Sequence, residues 1–387
     1  MEVDGGTITS VDTAPCPDTL QEVVRGLTIP ALANCHSHAF HRALRGRTQA
    51  ERGTFWTWRE QMYAVASDLS PDTYFALARD VYAEMVASGI GAVGEFHYLH
   101  HQLDGTPHAD PNEMGRALLA AADDAGIRIR LLDTCYLTSA IGSPPQGVQQ
   151  RFSDGDAARW AERVAAFDDD RVAMAIHSVR AVPRDQLGVV VEAAAGRPLH
   201  VHLSEQVAEN EACLAAYGMT PTQVLADAGA LGPLTSVVHA THLTDTDVRL
   251  LGDAGVHACF CPTTERDLAD GIGPSRALHD AGARLTLGSD SHAVIDLFEE
   301  MRAIEMHERL RTQQRGHWSA AELVSAAGVD GHASLGFDDG GRIAVGQRAD
   351  LRVLDLGSWR LAGTGTSAES VVFAATGADV RAFPGGA

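Results

Sequence analysis

The sequence contains no lysine, so all 30 of its basic residues are arginines. This absence excludes Schiff-base catalysis, a Walker-type phosphate-binding lysine and a pair of metals bridged by a carbamylated lysine. Basic residues are also outnumbered by acidic ones, because the 387-residue chain carries a formal net charge of -21. Phosphate backbones and anionic membranes are bound by basic patches, so neither nucleic acid nor a membrane is an expected partner.

Long hydrophobic runs and paired cysteines are missing as well. No stretch approaches the roughly 18 apolar residues of a membrane span. The N-terminus, Met1-Glu-Val-Asp, lacks the basic start of a signal peptide, so we expect a cytoplasmic protein. The six cysteines form no C-x-x-C pair, and we interpret them as buried thiols without a zinc-finger or redox role.

From Leu27 onward, short apolar runs alternate with helical stretches, as in parallel strands joined by helices. The predicted strands are Leu27–Cys35, Ala92–Tyr98, Ile127–Cys135, Val172–Ser178, Pro198–Leu203, Ser236–Ala240, Val256–Cys261 and Arg284–Gly288. The helices predicted between them include Pro71–Ser88, Glu113–Ala125, Arg184–Ala195, Thr244–Ala254 and Ile295–Arg311. This alternation favours a (β/α)8 barrel over residues 27–340, although a doubly wound sheet fits the pattern too.

The two flanks of the chain, residues 1–26 and 341–387, have a different composition. They are rich in Gly, Thr and Asp and contain short β-like runs such as Ala349–Asp355. We therefore predict a small β-rich subdomain built from both termini.

Polar residues gather where the predicted strands end. Histidines end five of the eight strands, and Ser289-Asp290 follows the last one. Because the C-terminal strand ends of a barrel surround one mouth, these side chains are expected to share one pocket. Taken singly, Ser289-Asp290 could cap a helix, and His177 or His239 could be a hydrogen-bonded core histidine. Their joint placement favours a functional pocket.

A metal site is predicted within this pocket. His36 and His38 form an H-x-H pair on one face of an extended segment, so both imidazoles can reach one cation. His202 and Asp290 would complete a set of three nitrogens and one oxygen, an open site of the catalytic type. A divalent ion in such a site lowers the pKa of bound water from about 15.7 toward roughly 7. Glu205, close to His202 in sequence, is placed to carry protons.

Together these motifs resemble the amidohydrolase superfamily of metal-dependent hydrolases. The resemblance consists of H-x-H at the first strand, histidines at the fifth and sixth and an aspartate at the eighth. It covers nearly the whole chain and implies a distorted (β/α)8 TIM barrel with a small β-sandwich made from both termini. His202-Leu-Ser-Glu205 resembles the H-x-x-E of the mononuclear deaminase branch.

Within that branch, several longer segments resemble the formimidoylglutamate deiminase family. Its members convert N-formimidoyl-L-glutamate into N-formyl-L-glutamate and ammonia during histidine degradation. The similar segments are Asn34–Phe40, Phe55–Glu60, Gly94–His101, Ala175–Ala181, Val238–Asp245, Cys261–Glu265 and Gly288–His292. The resemblance thus implies a hydrolase acting on a C–N bond of a linear amidine.

The resemblance also implies roles for individual residues. One divalent ion, zinc or alternatively iron, would be held by His36, His38, His202 and Asp290. Acid–base and electrostatic roles fall to Glu205, His239 and Asp290, and substrate contacts to Arg59, Tyr98, His177, Arg180 and His41. Arginines suit a small substrate with carboxylates, because the planar guanidinium donates two parallel hydrogen bonds. A homodimer is the expected assembly.

Two departures and several alternatives accompany this interpretation. His41 stands where the family pattern has glutamine, so the substrate contact there is expected to differ. Both termini are shorter than the resemblance implies, which leaves the completeness of the β-sandwich open. The other activities considered are deamination of guanine, cytosine or an adenosine derivative, imidazolonepropionase-like ring opening, and hydrolysis of a formimidoyl group on another amino acid. The intact ligand set and Glu205 argue against a non-catalytic barrel.

Overall fold

The computed structural model describes residues 1–13, 24–49 and 53–383. The strands are β1 (Glu2–Asp4), β2 (Thr7–Ser10), β3 (Leu27–Pro30), β4 (Leu32–Ser37), β5 (Ile90–His97), β6 (Arg128–Cys135), β7 (Val172–Ile176), β8 (Leu199–Leu203), β9 (Thr235–His239), β10 (His257–Phe260), β11 (Arg284–Leu287), β12 (Leu351–Leu354) and β13 (Val380–Ala382). The α-helices are α1 (Phe55–Asp68), α2 (Pro71–Ala87), α3 (Glu113–Ala125), α4 (Ala157–Ala165), α5 (Leu187–Ala193), α6 (Val207–Tyr217), α7 (Pro221–Asp227), α8 (Asp245–Ala254), α9 (Pro262–Asp267), α10 (Ser275–Ala281), α11 (Leu297–Thr312), α12 (Ala320–Ala327), α13 (Val329–Ser334) and α14 (Ala368–Phe373).

Strands β4 to β11 form one parallel sheet in sequence order. Its two edge strands approach each other, and an isolated parallel bridge joins Ser37, the last residue of β4, to Asp290, which follows β11. This bridge closes the sheet at the end where the strands finish. With helices in the crossovers, the eight strands form the (β/α)8 barrel that the alternation predicted.

Local sequence explains where the helices begin and end. At the start of α2, the Ser70 side chain accepts a hydrogen bond from the Thr73 amide, and Pro71 occupies the first turn, where no amide donor is needed. At the start of α8, the Thr244 side chain accepts a hydrogen bond from the Asp247 amide, and the Asp247 side chain accepts one from the Thr244 amide. Gly255 ends that helix in the left-handed region, with φ of 64°.

The interior of the barrel is filled by small side chains. Cys35, Cys259 and Cys261 pack there with alanines, Val238 and Leu335. The five described cysteines, Cys35, Cys135, Cys213, Cys259 and Cys261, are free and buried, which confirms their interpretation as buried thiols. Cys16 lies outside the described residues.

Both ends of the chain contribute small antiparallel sheets beside the barrel. One is the β1–β2 hairpin, and the other has the order β13–β12–β3. The hairpin joins the C-terminal part of the chain where the Ile8 amide donates to the Gln347 carbonyl at 2.8 Å. These sheets fit the β-sandwich subdomain expected from both termini. The exact division into residues 1–26 with 341–387 and residues 27–340 stays a prediction.

The predicted first strand, Leu27–Cys35, was wrong as a single element. Leu27–Pro30 pairs antiparallel with β12 in the small sheet, whereas Leu32–Ser37 enters the barrel beside β5. The apolar character of the segment continues through Ala31, so the sequence does not show where the pairing partner changes. Among the described helices, none is long and apolar enough to cross a membrane.

Candidate active site

The predicted site residues lie around the mouth of the barrel. His36 and His202 belong to β4 and β8, His239 ends β9, and His38, Tyr98, His177, Arg180, Glu205 and Asp290 follow the ends of their strands. With the exception of His36, which lies fully buried beneath them, all predicted site residues line one cavity of about 1120 Å³, counted up to its open mouth. The chain thus brings every predicted site residue to one place.

Four side-chain atoms converge at the floor of this cavity, and we call their residues, His36, His38, His202 and Asp290, the donor cluster. The Nε2 atoms of His36 and His202 are 3.0 Å apart, and those of His38 and His202 are 3.4 Å apart. Asp290 Oδ1 lies 3.4 Å from Nε2 of both His36 and His38. Ligands about 2.0–2.1 Å from one ion in a tetrahedron stand roughly 3.3 Å apart, so the spacing fits a single metal ion.

Hydrogen bonds behind the donor cluster decide which nitrogens carry protons. His38 Nδ1 donates to the Phe96 carbonyl at 3.0 Å, and His202 Nδ1 donates to the His177 carbonyl at 2.9 Å. Burial lowers the pKa of His38 and of His202 well below the ordinary value, so both rings are neutral. Their two Nε2 atoms therefore face each other with lone pairs, an arrangement that a cation between them stabilises. This chemistry fits a divalent metal ion.

Three residues of the donor cluster, His36, His38 and Asp290, lie at the seam, the place where β4 meets the segment after β11 and closes the barrel. The His38 amide donates to the Asp290 carbonyl at 3.2 Å, and the Asp290 amide donates to the His36 carbonyl at 3.0 Å. A Cβ atom on Gly288 would stand 2.7 Å from His36 Cβ and 3.0 Å from Cys261 Sγ, so a side chain there would push the seam apart. The backbone of the seam thus sets the distances within the donor cluster.

A buried hydrogen-bond chain, which the sequence reasoning missed, crosses this seam. We call Asn34, Ser37, Glu95, Ser289 and His292 the seam network, and all five are fully buried. Asn34 Nδ2 donates to Ser289 Oγ at 2.7 Å, and Ser37 Oγ donates to Glu95 Oε2 at 2.5 Å. Between them, His292 contacts Ser289 Oγ through Nδ1 at 3.0 Å and Ser37 Oγ through Nε2 at 3.1 Å.

In one proton arrangement of the seam network, Ser289 donates to Nδ1 of a neutral His292, whose Nε2–H donates to Ser37, and Ser37 donates to Glu95 Oε2. Burial raises the pKa of Glu95 to about 8, against its hydrogen bonds with the Ala39 amide and Ser37, which favour the charged carboxylate. Each hydroxyl then accepts one hydrogen bond and donates another. The signal in the sequence was available, because four of these residues flank presumed ligands within the segments Asn34–Phe40 and Gly288–His292.

The acid–base candidates form a second group above the donor cluster. His239 Nε2 lies 3.9 Å from Glu205 Oε1 and 3.6 Å from Asp290 Oδ2, and its Nδ1 lies 3.4 Å from Glu265 Oε1. Burial alone would lower the pKa of His239, but Glu205, Glu265 and Asp290 together raise it well above the ordinary value. Burial raises the pKa of Glu205, against the opposing effect of His239. The group therefore combines an imidazole that holds its proton with a carboxyl that can exchange one.

Backbone strain is concentrated at the same positions. His239, Asp290 and His292 have φ values of 70°, 42° and 58°, in the left-handed region that residues with a Cβ seldom adopt. Such conformations cost about 1–3 kcal/mol each and persist where the surrounding structure requires them. Two of these residues, His239 and Asp290, line the cavity, and His292 belongs to the seam network behind it.

The side wall of the cavity carries the cationic residues, and we call Arg59, Tyr63, Tyr136 and Arg180 the substrate wall. The Arg59 guanidinium lies 4.4 Å from the Trp56 ring centre and 5.5 Å from that of Tyr63. Arg180 Nη1 donates to the Ser139 carbonyl at 3.1 Å. Two arginines thus face one cavity, and each is partly held by neighbouring groups.

His41 and Glu209 complete the lining. His41 Nε2 lies 3.0 Å from the Tyr98 hydroxyl, and burial lowers the pKa of His41 to about 3, so its ring is neutral. Sequence reasoning missed Glu209, although a second carboxylate only four residues after Glu205 was a signal for it. Burial raises the pKa of Glu209 to about 7, with Arg180 opposing this rise.

The fold and the site together define a class of protein. Three histidines and one aspartate at the C-terminal mouth of a (β/α)8 barrel, with further acid–base side chains above them, are the arrangement of a barrel hydrolase whose site can hold a divalent metal ion.

Comparison with known proteins agrees with this class. Residues 27–382 match the amidohydrolase family. The formimidoylglutamate deiminase of Pseudomonas aeruginosa is 37% identical over 353 residues, which cover 86% of this chain and 77% of that protein. The chain belongs to the amidohydrolase family and is a hydrolytic enzyme that acts on C–N bonds.

Solved structures show the same relationship. The crystal structure of an amidohydrolase from Brucella melitensis has a TM-score of 0.88 at 31% identity, covering 98% of this chain and 90% of that one. An adenosine deaminase from Xanthomonas campestris, solved with bound zinc, has a TM-score of 0.75 at 25% identity, covering 91% of this chain and 77% of that one. Both similarities extend over nearly the whole fold.

Proposed function

We propose that the enzyme hydrolyses N-formimidoyl-L-glutamate to N-formyl-L-glutamate and ammonia, a step of histidine degradation. The observation that carries the proposal is the combination, in one cavity, of the donor cluster with two arginines, Arg59 and Arg180. The donor cluster suits hydrolysis of the amidine, and guanidinium groups suit the carboxylates of the substrate. The 37% identity to the Pseudomonas aeruginosa deiminase supports the same substrate.

We propose zinc as the metal, because imidazole nitrogens and carboxylate oxygens, which the donor cluster offers, are typical zinc ligands. When bound, zinc would polarise the amidine and make hydroxide available at neutral pH. Iron is the alternative.

The residues of the chain then divide the proton transfers among them. Asp290 accepts the proton released when water attacks the formimidoyl carbon, and Glu205 delivers a proton to the imine nitrogen. The protonated His239 donates a hydrogen bond to the oxygen of the tetrahedral adduct and balances its developing negative charge. On collapse, Asp290 returns its proton to the departing nitrogen while the hydroxyl of the adduct passes its proton to Glu205, so the C–N bond breaks, ammonia leaves, and both carboxyl groups regain their starting states.

Substrate binding falls to the arginines of the substrate wall and to residues between that wall and the donor cluster. Arg59 and Arg180 pair with carboxylates, while Tyr98 and His177 contact the amidine end, since their rings lie 5.4 Å from His38 and 5.1 Å from His202. His41 supports Tyr98 through its hydrogen bond, and it stays a predicted substrate contact. A homodimer also stays a prediction, which sedimentation of the purified protein tests.

The test is ammonia release from a panel of N-formimidoyl-L-glutamate, N-formimidoyl-L-aspartate, guanine, cytosine, S-adenosylhomocysteine and imidazolonepropionate, with metal content measured on the same sample. We expect activity on the first compound to exceed that on the others and to require about one metal ion per chain. Arg180→Met should raise KM with a smaller change in kcat. Activity on a nucleobase or nucleoside alone would overturn the proposed substrate.

A further inference from the structure

Two tyrosine hydroxyls on the substrate wall share one hydrogen-bond donor. Gln149 Nε2 donates to the Tyr63 hydroxyl oxygen at 2.8 Å and to the Tyr136 hydroxyl oxygen at 2.9 Å. Gln149 is only 4% exposed and lies on the 3-10 helix Gly147–Phe152. None of the three residues was among the site residues predicted from the sequence.

The orientation of the Gln149 amide follows from its other end. The Gln146 backbone amide donates to Gln149 Oε1 at 3.0 Å. A backbone N–H can only donate, so this atom must be the carbonyl oxygen and the NH2 group must face the tyrosines. Both hydrogens of that NH2 group are therefore used by the two phenol oxygens.

As a consequence, both phenol oxygens act as acceptors toward Gln149 and keep their own protons for another partner. Within the described ranges, the Tyr63 and Tyr136 hydroxyls accept hydrogen bonds from Gln149, and neither hydroxyl donates to a protein acceptor. Burial raises the pKa of Tyr136 to about 12, with Arg180 opposing this rise, so the hydroxyl keeps its proton at neutral pH. Two O–H donors are thus available at the wall of the cavity.

The surroundings of these hydroxyls favour an anion. The Arg59 guanidinium lies 5.5 Å from the Tyr63 ring centre, and Arg180 lines the same cavity as Tyr136. The His177 ring stands between this region and the donor cluster, 4.7 Å from Tyr136 and 5.1 Å from His202. The two hydroxyls therefore lie one ring beyond the donors, where the part of a substrate remote from the reacting carbon would reach.

We propose that Tyr63 and Tyr136, oriented by Gln149, donate hydrogen bonds to the substrate carboxylate remote from the amidine, which lies between Arg59 and Arg180. This inference rests on the proposed function and deepens it. The two arginines supply the positive charge that attracts the carboxylate, and the two hydroxyls fix its orientation by donating hydrogen bonds to it. A carboxylate accepts hydrogen bonds at both of its oxygens. A carboxamide accepts only at its oxygen, and its NH2 group can only donate, so this wall selects an acid over its amide.

The first experiment compares two substrates, N-formimidoyl-L-glutamate and N-formimidoyl-L-glutamine, which differ only in the remote group. Tyr136→Phe and Tyr63→Phe should each lower kcat/KM for the acid by roughly 10- to 100-fold, since hydrogen bonds to charged groups are the stronger class. For the amide, we expect both variants to equal the wild type within about twofold. Equal losses on the two substrates would mean that the hydroxyls act only on the structure, and the inference would be wrong.

The second experiment tests Gln149 as a positioning residue. Gln149→Met removes the amide donors at similar size, and we expect KM for the acid to rise about tenfold with kcat nearly unchanged. Gln150→Met, on the exposed side of the same 3-10 helix, is the matched control and should leave both constants unchanged. Because Tyr136→Phe leaves a buried donor of Gln149 unpaired, the double variant Tyr136→Phe/Gln149→Met removes both partners and keeps the test valid if the single variant folds poorly.

Binding of glutarate, followed by calorimetry on the metal-loaded enzyme, separates this inference from the proposed function. If the wild type released no ammonia from N-formimidoyl-L-glutamate but bound glutarate more tightly than the tyrosine variants did, the proposed activity would fail and the carboxylate site would stand. If the wild type turned over its substrate but glutarate bound equally to wild type and variants, only the carboxylate site would be wrong.

Discussion

The donor cluster and the substrate wall are two ends of one cavity, and they are built differently. The donor cluster comes from strand ends, its four side chains are at most 8% exposed, and the seam network holds it from behind. The substrate wall comes from α1 and from the turns after β6 and β7, and Arg59 on it is partly exposed. The difference teaches that the proposed chemistry lies at the strand ends of the sheet, whereas the proposed recognition of the substrate lies on segments outside the sheet, which can vary without disturbing it.

The largest effect is expected where the donor cluster itself is broken. Asp290→Asn removes the only charged ligand and the proposed proton acceptor, so the protein should lose most of its metal and kcat/KM should fall at least ~10³-fold. Metal analysis of the purified variant and the ammonia assay check this. Removal of metal from the wild type with a chelator should abolish activity, and zinc should restore it. An Asp290→Asn protein with full metal content and normal turnover would contradict the assignment of the donor cluster.

A smaller loss is expected above the donor cluster, where Glu205 carries protons but is not a proposed ligand. Glu205→Gln should keep its metal while kcat falls by roughly 10²- to 10⁴-fold, the usual range for an acid–base residue. Glu211→Gln, on the exposed face of α6, serves as the control and should behave like the wild type. Full turnover by a metal-loaded Glu205→Gln protein would reject its role.

The comparison of the two ends of the cavity also predicts that residues of the seam network, which are not metal ligands, affect the affinity for the metal. His292→Phe interrupts the seam network between Ser37 and Ser289, so the dissociation constant for zinc should rise by about 10- to 100-fold, as for other partners behind metal ligands. Competition with a coloured chelator measures this constant without using activity. His257→Asn is the matched control, because His257 is a buried histidine of β10 whose two ring nitrogens have no partner among the described residues. Equal affinities in the two variants would show that the seam network does not position the ligands.

The smallest effect concerns a buried ion cluster outside both ends of the cavity. Arg163 pairs with Asp133 at 2.8 Å and with Asp154 at 2.9 Å. Burial alone would raise the pKa of Asp133, but Arg163 holds it at about 2. Because this lies below the unfolded value of about 3.9, the carboxylate stabilises the fold above about pH 4, by about 2.5 kcal/mol, and this contribution is lost as the pH falls toward 2.

Urea unfolding at neutral pH and at about pH 3 measures this loss. Arg163→Met should destabilise the protein at neutral pH and show less additional loss on acidification, because Asp133 then no longer has a depressed pKa. Zinc affinity at neutral pH should be unchanged in this variant, which separates stability from the site. An identical acid-dependent loss in both proteins would contradict the role of the Arg163 pair.

Much of the fold was predictable because the spacing of apolar residues that distinguishes strands from helices depends only on neighbouring residues. Seven of the eight barrel strands lie within two residues of their predicted positions, and Glu113–Ala125 begins and ends as predicted. The split of Leu27–Cys35 between two sheets was not predictable, because apolar alternation reports burial and does not report the partner strand. The side chains of the donor cluster were also predictable, since strand ends of a barrel meet at one mouth. Their catalytic roles stay proposals.

The supporting residues were harder to predict, because their partners are remote in sequence. Asn34 contacts Ser289 across 255 residues, and Gln149 contacts Tyr63 across 86. A hydrogen bond acts only over about 3 Å and in one direction. Spacing along the chain therefore carries no information on these pairs. The orientation of the Gln149 side chain, for example, is set by a single hydrogen bond from the Gln146 backbone amide.

The sequence by itself determined the alternation of strands and helices, the exclusion of lysine chemistry and the types of side chain that end each strand, because these depend on neighbours a few residues away. Only the tertiary structure decided how the seam sets the donor distances, which imidazole nitrogens carry lone pairs and which way two tyrosine hydroxyls point. These properties depend on distances of a few ångströms between segments that the chain brings together only when the barrel closes.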